Sequence, residues 1–372
     1  MQRDAHYYAI LGFCRACGFN KDSAQVIAYA SQFVDDAKIN LMFLSNSVDE
    51  IEHDMINNKP AFFNMATCHA YFRINTFNYE AMVNNTIAFH FVPGCQGENF
   101  SKKLRCKEES PIILDILEDV FMEDDLTKLG IILHAFADSY THQGFSGMLS
   151  KVNDIKKCEP KTKVYLGLYD KILQVFARFN QEKFEKYFDS LMPAYGHGQA
   201  MEYPDLPDLV WSYEYDYSDE FNGSYKQVEI NNKDRFIRAF KGIRKHLEDY
   251  LRQHPQYLDR NLRFVNFDIL MDTLVAKGQE KKREENWKRL LIEQGLFDNV
   301  DLESILYEDD KWLKEAFSNY NRIVFDDRTV AGEVQLADNF IQSNWYRFYL
   351  SVKWYKLKFF EYCTKYQLNI PN

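Results

Sequence analysis

Glycine and proline are scarce, at 15 and 9 of 372 residues, where average usage of about 7% and 5% would give roughly 26 and 19. A chain broken every few residues, collagen-like or low-complexity, is excluded. No run of about 18 apolar residues occurs, so no transmembrane segment is expected. The start, MQRDAHYYAILGF, lacks the basic head, continuous apolar middle and cleavage site of a secretory signal, and the expectation is a soluble cytoplasmic protein. Seven cysteines, odd in number and scattered, make no disulfide framework and fit a reducing compartment. Cys14 and Cys17 form a CxxC without the second pair that a zinc knuckle needs. Positive charge is also short: 45 basic against 55 acidic residues give a net charge of −10. A general nucleic-acid-binding role is excluded, because such a chain repels phosphate backbones.

Large rings, by contrast, are abundant. Phe 30, Tyr 24 and Trp 5 bring aromatics to 16% of the chain. With so few helix breakers this points to long, thickly packed helices, and the expected fold is all-α. Helical periodicity runs from residue 5 to about 195, interrupted by a loop at 93–111 and followed by an irregular stretch at 193–211. Only residues 87–94, IAFHFVPG, read as extended. Two regions are expected, a helical core over 1–230 and a helical C-terminal region over 231–372 packed against it. Residues 333–365 read as one long aromatic helix, central in the packing, with basic residues at its rim near the acidic 213–220 tract or toward an anionic substrate.

The segment 125–147, DLTKLGIILHAFADSYTHQGFSG, carries charge where charge is costly. Turned at about 100° per residue, it places Leu126, Leu129, Leu133, Phe136, Ala137 and Tyr140 on one stripe. His134, Asp138 and His142 occupy successive fourth positions on another face, beside Ile131 and Ala135. Ionisable groups on a helix apolar nearly all round must be paired, neutralised or coordinated. Either Asp138 accepts hydrogen bonds from both histidines, or all three bind metal. Eight residues at a rise of about 1.5 Å separate His134 from His142 by about 12 Å. One ion would not reach both, whereas a dinuclear or trinuclear cluster with Asp138 between them would, and such clusters serve attack on phosphate esters.

Further candidates lie elsewhere. His6 opens an apolar helix, and His69 has apolar neighbours. In the helix expected over 22–37, Asp35 ends a stripe of small residues (Ala24, Ala28, Ser31), while Asp36 falls among Gln25 and Gln32 on the wetter side. His90 is either a ligand or a brace for the following loop. His197 stands between Gly196 and Gly198, which let a loop approach another element closely. Glu202 and Asp205 follow it. His53, His246 and His254 read as surface residues.

In chain order, His6, Asp35, His69, His134, Asp138, His142, His197 and a later acid resemble the ligand succession of the zinc-dependent phospholipase C and zinc single-strand nuclease superfamily. The wording around them (GFNKDSAQVIAYASQFVDDA, FHFVPG, LHAFADSYTHQGFSG, GHGQAMEYPDLPDLVW) also resembles a bacterial domain family of unknown function over residues 1–365. The first resemblance implies a multi-helix phospholipase C-like body, a metal-binding core, two or three zinc ions (manganese or iron as alternatives), and hydrolysis of phosphodiesters. It implies one zinc on Asp35, His69 and His134, a site at His6 bridged by Asp138, and another on His142, His197 and an acid. Met201 stands where that superfamily has its last acid, so Glu202 or Asp205 must serve, and Asp205 is the chosen ligand. Asp35 is the expected catalytic residue, orienting or deprotonating water. The expected ligand is a phosphate-containing small molecule or lipid head group. The competing expectation is a non-catalytic, metal-stabilised helical binding protein.

Overall fold

The computed structural model describes residues 1–45, 50–68, 78–165, 194–219, 221–262, 265–325 and 330–370. Short polar side chains begin its principal helices, because the first turn leaves backbone donors that a side-chain oxygen can accept. Asn20 caps α1's successor α2 (Lys21–Asp36), which follows α1 (Ile10–Cys17). Ser110 caps α3 (Pro111–Phe121), with proline in the first turn where no N–H is needed. Asp125 caps α4 (Leu126–Thr141), accepting from Thr127 and Lys128. Asn231 and Asn266 cap α5 (Asn232–Gln253) and α6 (Phe267–Leu274). After α7 (Glu280–Glu293), Ser343 caps α8 (Asn344–Lys365).

Helix α4 is central: every residue from Leu129 to Thr141 is buried, and α2, α3, α5 and α8 pack around it. The approach of α2 is unusually close. A Cβ on Gly130 would lie 2.4 Å from the Ile27 carbonyl oxygen and 2.6 Å from Ala30 Cβ, so only glycine fits between the helices. One apolar core joins both expected regions, from Phe13, Phe33 and Phe136 to Phe240, Trp287, Trp312, Phe348 and Tyr355. Helix α8 also reaches inward with a cation. Lys356 is 4% exposed, and its Nζ donates to Asn64 O at 2.8 Å, Asn64 Oδ1 at 2.9 Å and Ala66 O at 2.9 Å. Among the described residues no helix is long and apolar enough to cross a membrane.

The all-α expectation is overturned, because the chain also forms two sheets. The first has strand order β2-β3-β1-β7, from β1 (Leu41–Leu44), β2 (Asp54–Ile56), β3 (Lys59–Phe63) and β7 (Val330–Val334). β2 and β3 form a hairpin through Asn57 and Asn58, both at positive φ (52° and 60°), as a two-residue turn of the favoured twist requires. β7 lies parallel to β1. The second sheet is antiparallel, β4 (Ile155–Pro160), β5 (Val210–Asp216) and β6 (Tyr225–Asn231). Its Trp211 and Tyr213 bury against Phe91, Phe145 and Leu209 in a second apolar cluster.

Three local expectations also change. Within 87–94, residues 87–90 are not extended but end a π-helical segment, Met82–His90, matched by another at Asp4–Ala9, while Pro93 pairs with Cys106 in an isolated antiparallel bridge. The aromatic helix begins at Asn344, and Val330–Val334 before it is a strand. Its lysines pair with Glu52, Asp54, Asp115 and Asp119, away from the 213–220 tract, because these acids sit on the elements that α8 packs against.

Candidate metal centre

Five parts of the chain deliver the site. Helix α4 holds His134 and Asp138 one turn apart and ends at Thr141, leaving His142 as its C-terminal cap residue. The tight α2–α4 contact at Gly130 brings Asp35, in the last turn of α2, alongside. The π-helical segments supply His6 and His90; such segments are rare and recur at functional sites. The loop after residue 194 supplies His197 and Asp205, with Gly196 at a positive φ of 53° where it turns.

Asp138 is the hub. Its Oδ1 lies 3.1 Å from His6 Nε2, and its Oδ2 lies 3.1 Å from His90 Nδ1 and 3.2 Å from His134 Nε2. His142 Nδ1 is 3.6 Å from the same Oδ2. His134 Nε2 and His90 Nδ1 are 3.1 Å apart, and Asp35 Oδ1 stands 3.8 Å from the first and 3.7 Å from the second. On the other side, Asp205 meets His142 Nε2 at 3.0 Å and His197 Nε2 at 3.5 Å. The Met1 amino group lies 2.6 Å from Asp138 and 3.1 Å from Asp205. Three ligand groups result, His6/His134/Asp138, Asp35/His90/His134 and His142/His197/Asp205, the atoms of each within 4.8 Å of one another.

Backbone carbonyls decide how several rings are turned. A carbonyl only accepts, so the ring nitrogen facing it must carry the proton. His90 Nε2 donates to Thr67 O at 3.0 Å, His142 Nδ1 to His90 O at 2.8 Å and His197 Nδ1 to Met201 O at 2.7 Å. In each ring the other nitrogen faces a site carboxylate. The His6 ring stacks on His134, centroids 3.9 Å apart, and its Nδ1 has no hydrogen-bond partner among the described residues.

Electrostatics separates the acids. Burial would raise the pKa of Asp138, but His142, the Met1 amino group, His134 and His6 hold it well below the carboxylate range. Asp205 is likewise held low, against its burial, by the amino group and His197. Asp35 goes the other way: burial, only partly opposed by His90 and reinforced by Asp138, pushes it up to about 7. Burial lowers His6 and His134, and takes His197 to about 4. His142 is raised: burial opposes its charged form, but the Asp138 and Asp205 carboxylates together outweigh it.

Of the residues singled out in the sequence, His6, Asp35, His134, Asp138, His142, His197 and Asp205 meet in this cluster, and Asp205, not Glu202, is the acid that faces His142 and His197. His69 lies outside the described residues. His90 joins as a full member, which its sequence context, a histidine between two phenylalanines, does not distinguish from a brace. Asp36 turns away and accepts from Gln32 at 3.1 Å and Tyr307 at 2.7 Å. Burial raises the thiol pKa of the CxxC cysteines Cys14 and Cys17, which disfavours their thiolates. A model described as a family of unknown function (DUF6765) matches residues 1–363. The chain belongs to this family. The DUF6765 match thus spans all seven of these residues as well as His90. No curated protein and no solved structure matches the chain.

Proposed function

We propose that the protein is a metal-dependent hydrolase of phosphate esters, phosphodiesters foremost, working through a multinuclear centre. The observation carrying this reading is the turning of three rings, His90, His142 and His197, each with one nitrogen on a backbone carbonyl and the other toward a carboxylate. Metal-binding histidines are held in this way, the outer hydrogen bond fixing both tautomer and direction. Charge supports it too. Asp35, Asp138 and Asp205 crowd together with one amino group, an excess of carboxylates that bound cations would offset. The order of these residues along the chain also resembles the zinc-dependent phospholipase C superfamily.

Imidazole and carboxylate donors fit zinc, as two or three ions, with manganese or iron as alternatives. Bound ions of this kind supply countercharge and Lewis acidity for in-line attack of water on phosphorus. Asp138 ties the groups together through its two oxygens. Asp35, whose side chain is 27% exposed against 1% for Asp138, then orients the attacking water and accepts its proton. The substrate class is a phosphate-bearing small molecule or lipid head group.

Elemental analysis of the purified protein, paired with an assay on a chromogenic phosphodiester, tests the reading. About two metal equivalents are expected, with hydrolysis that a chelator abolishes. Metal-free protein whose stability a chelator leaves unchanged would overturn it. Bound metal without hydrolysis of diester or monoester would show a closed structural centre instead.

A further inference from the structure

We propose that Arg283, on α7 in the C-terminal region, is a positioning residue for His6, acting through Asp4 to set the first π-helical segment against the centre. The proposal rests on the metal-centre reading above.

Arg283 is 0% and Asp4 1% exposed. The guanidinium grips the carboxylate with two prongs, Nε to Oδ2 at 2.7 Å and Nη2 to Oδ1 at 2.9 Å. Its remaining donors go to Gly278 O and Gln2 Oε1. The residue between, Arg3, is held by the same helix: its backbone N–H donates to Glu280 Oε1 at 3.0 Å and its Nε to Glu284 Oε1 at 2.7 Å. Three consecutive residues, Gln2, Arg3 and Asp4, are therefore anchored to α7 where the segment that carries His6 begins. That segment has no side-chain cap of its own at Arg3, so its start is fixed from outside.

Stability alone does not call for this pair. A buried ion pair replaced by apolar residues of similar volume often leaves a protein as stable or more so. What apolar packing lacks is direction. The two-pronged fork fixes both distance and angle, and the ring beyond it needs both. His6 must stack on His134 at 3.9 Å and present Nε2 to Asp138 at 3.1 Å, from a helix type that is seldom sustained without support.

The test uses full-length protein loaded with zinc alone, reading metal equivalents by elemental analysis and Tm by calorimetry. The double variant Asp4→Leu/Arg283→Met swaps the pair for apolar packing. It should hold a Tm near wild type yet bind one equivalent fewer, matching the equivalents bound by His6→Ala. Arg283→Lys, which keeps the charge and loses the fork, should show the same deficit, and it decides the matter if the double variant does not fold. Full loading of the folded variants would overturn the proposal while leaving the metal centre intact. Wild-type protein without zinc would overturn the centre itself, and the proposal with it.

Discussion

At the scale of single residues, Asp138 answers two opposed demands. Burial alone would protonate it, and four surrounding cationic or imidazole groups keep it ionised. Asp138→Asn retains shape but only one acceptor oxygen, and it cannot bridge two cations. We expect it to lose metal and hydrolysis together, the rate falling at least about 100-fold, the upper end of what lesser changes around metal ligands produce. Asp36→Asn, one position from the site on α2, should leave both unchanged; equal losses from the two variants would refute the assignment of Asp35. Lys356 carries a second test. Burial lowers its pKa to about 7, whereas an unfolded lysine titrates near 10.4. The unfolded chain thus binds more protons between about pH 7 and 10.4, so this term raises stability across that window and is lost as pH falls through 7. Urea unfolding of wild type and Lys356→Met should diverge in wild type's favour from pH 7 to 10. A constant difference would show that the surrounding carbonyl oxygens sustain the ammonium instead.

Among the elements, the α2–α4 contact sets the geometry of the site. Gly130→Ala places a methyl group inside contact distance of Ile27 and Ala30, and overpacking of this kind costs about 1–3 kcal/mol. The variant should unfold at lower urea and bind metal more weakly, since α2 carries Asp35; unchanged affinity would detach Asp35 from the centre. The helices carrying His134, Asp138 and Asp35 were legible because each holds acids or histidines at helical spacing on an apolar face. The strands were not. β2 and β3 are three and five residues long, too short for alternation to stand out, and the Asn57-Asn58 turn was the available signal. In β5 the alternation of Trp211, Tyr213 and Tyr215 is present, but Glu214 and Asp216 beside the rings make the stretch read as part of an acidic tract. A π-helical segment has no sequence period to recognise, so His90 was placed on an extended stretch.

Over the whole molecule, the two halves of the chain share one core and one site. Tyr355 of α8 donates to Ala88 O at 2.8 Å within the second π-helical segment, and Lys356 braces residues 64–66 just before Thr67, the carbonyl partner of His90. Truncation after residue 332 removes all of these together with Phe348 and Tyr349. The fragment should be insoluble or unfold without cooperativity, and should retain no metal. A soluble, cooperative fragment with its full complement would show α8 to be a detachable module.

The grip of α7 on the amino-terminal residues also bears on the order of assembly. Asp4 and Arg283 are 279 positions apart, and closing a loop of that length comes late in folding, since distant contacts return nothing until the chain between them is organised. On a ribosome, His6 emerges long before the helix that seats it. Asp35, His90 and His134 can gather while the chain is still growing, whereas His6 must wait for α7. The first of these residues to be made is thus the last to take its place.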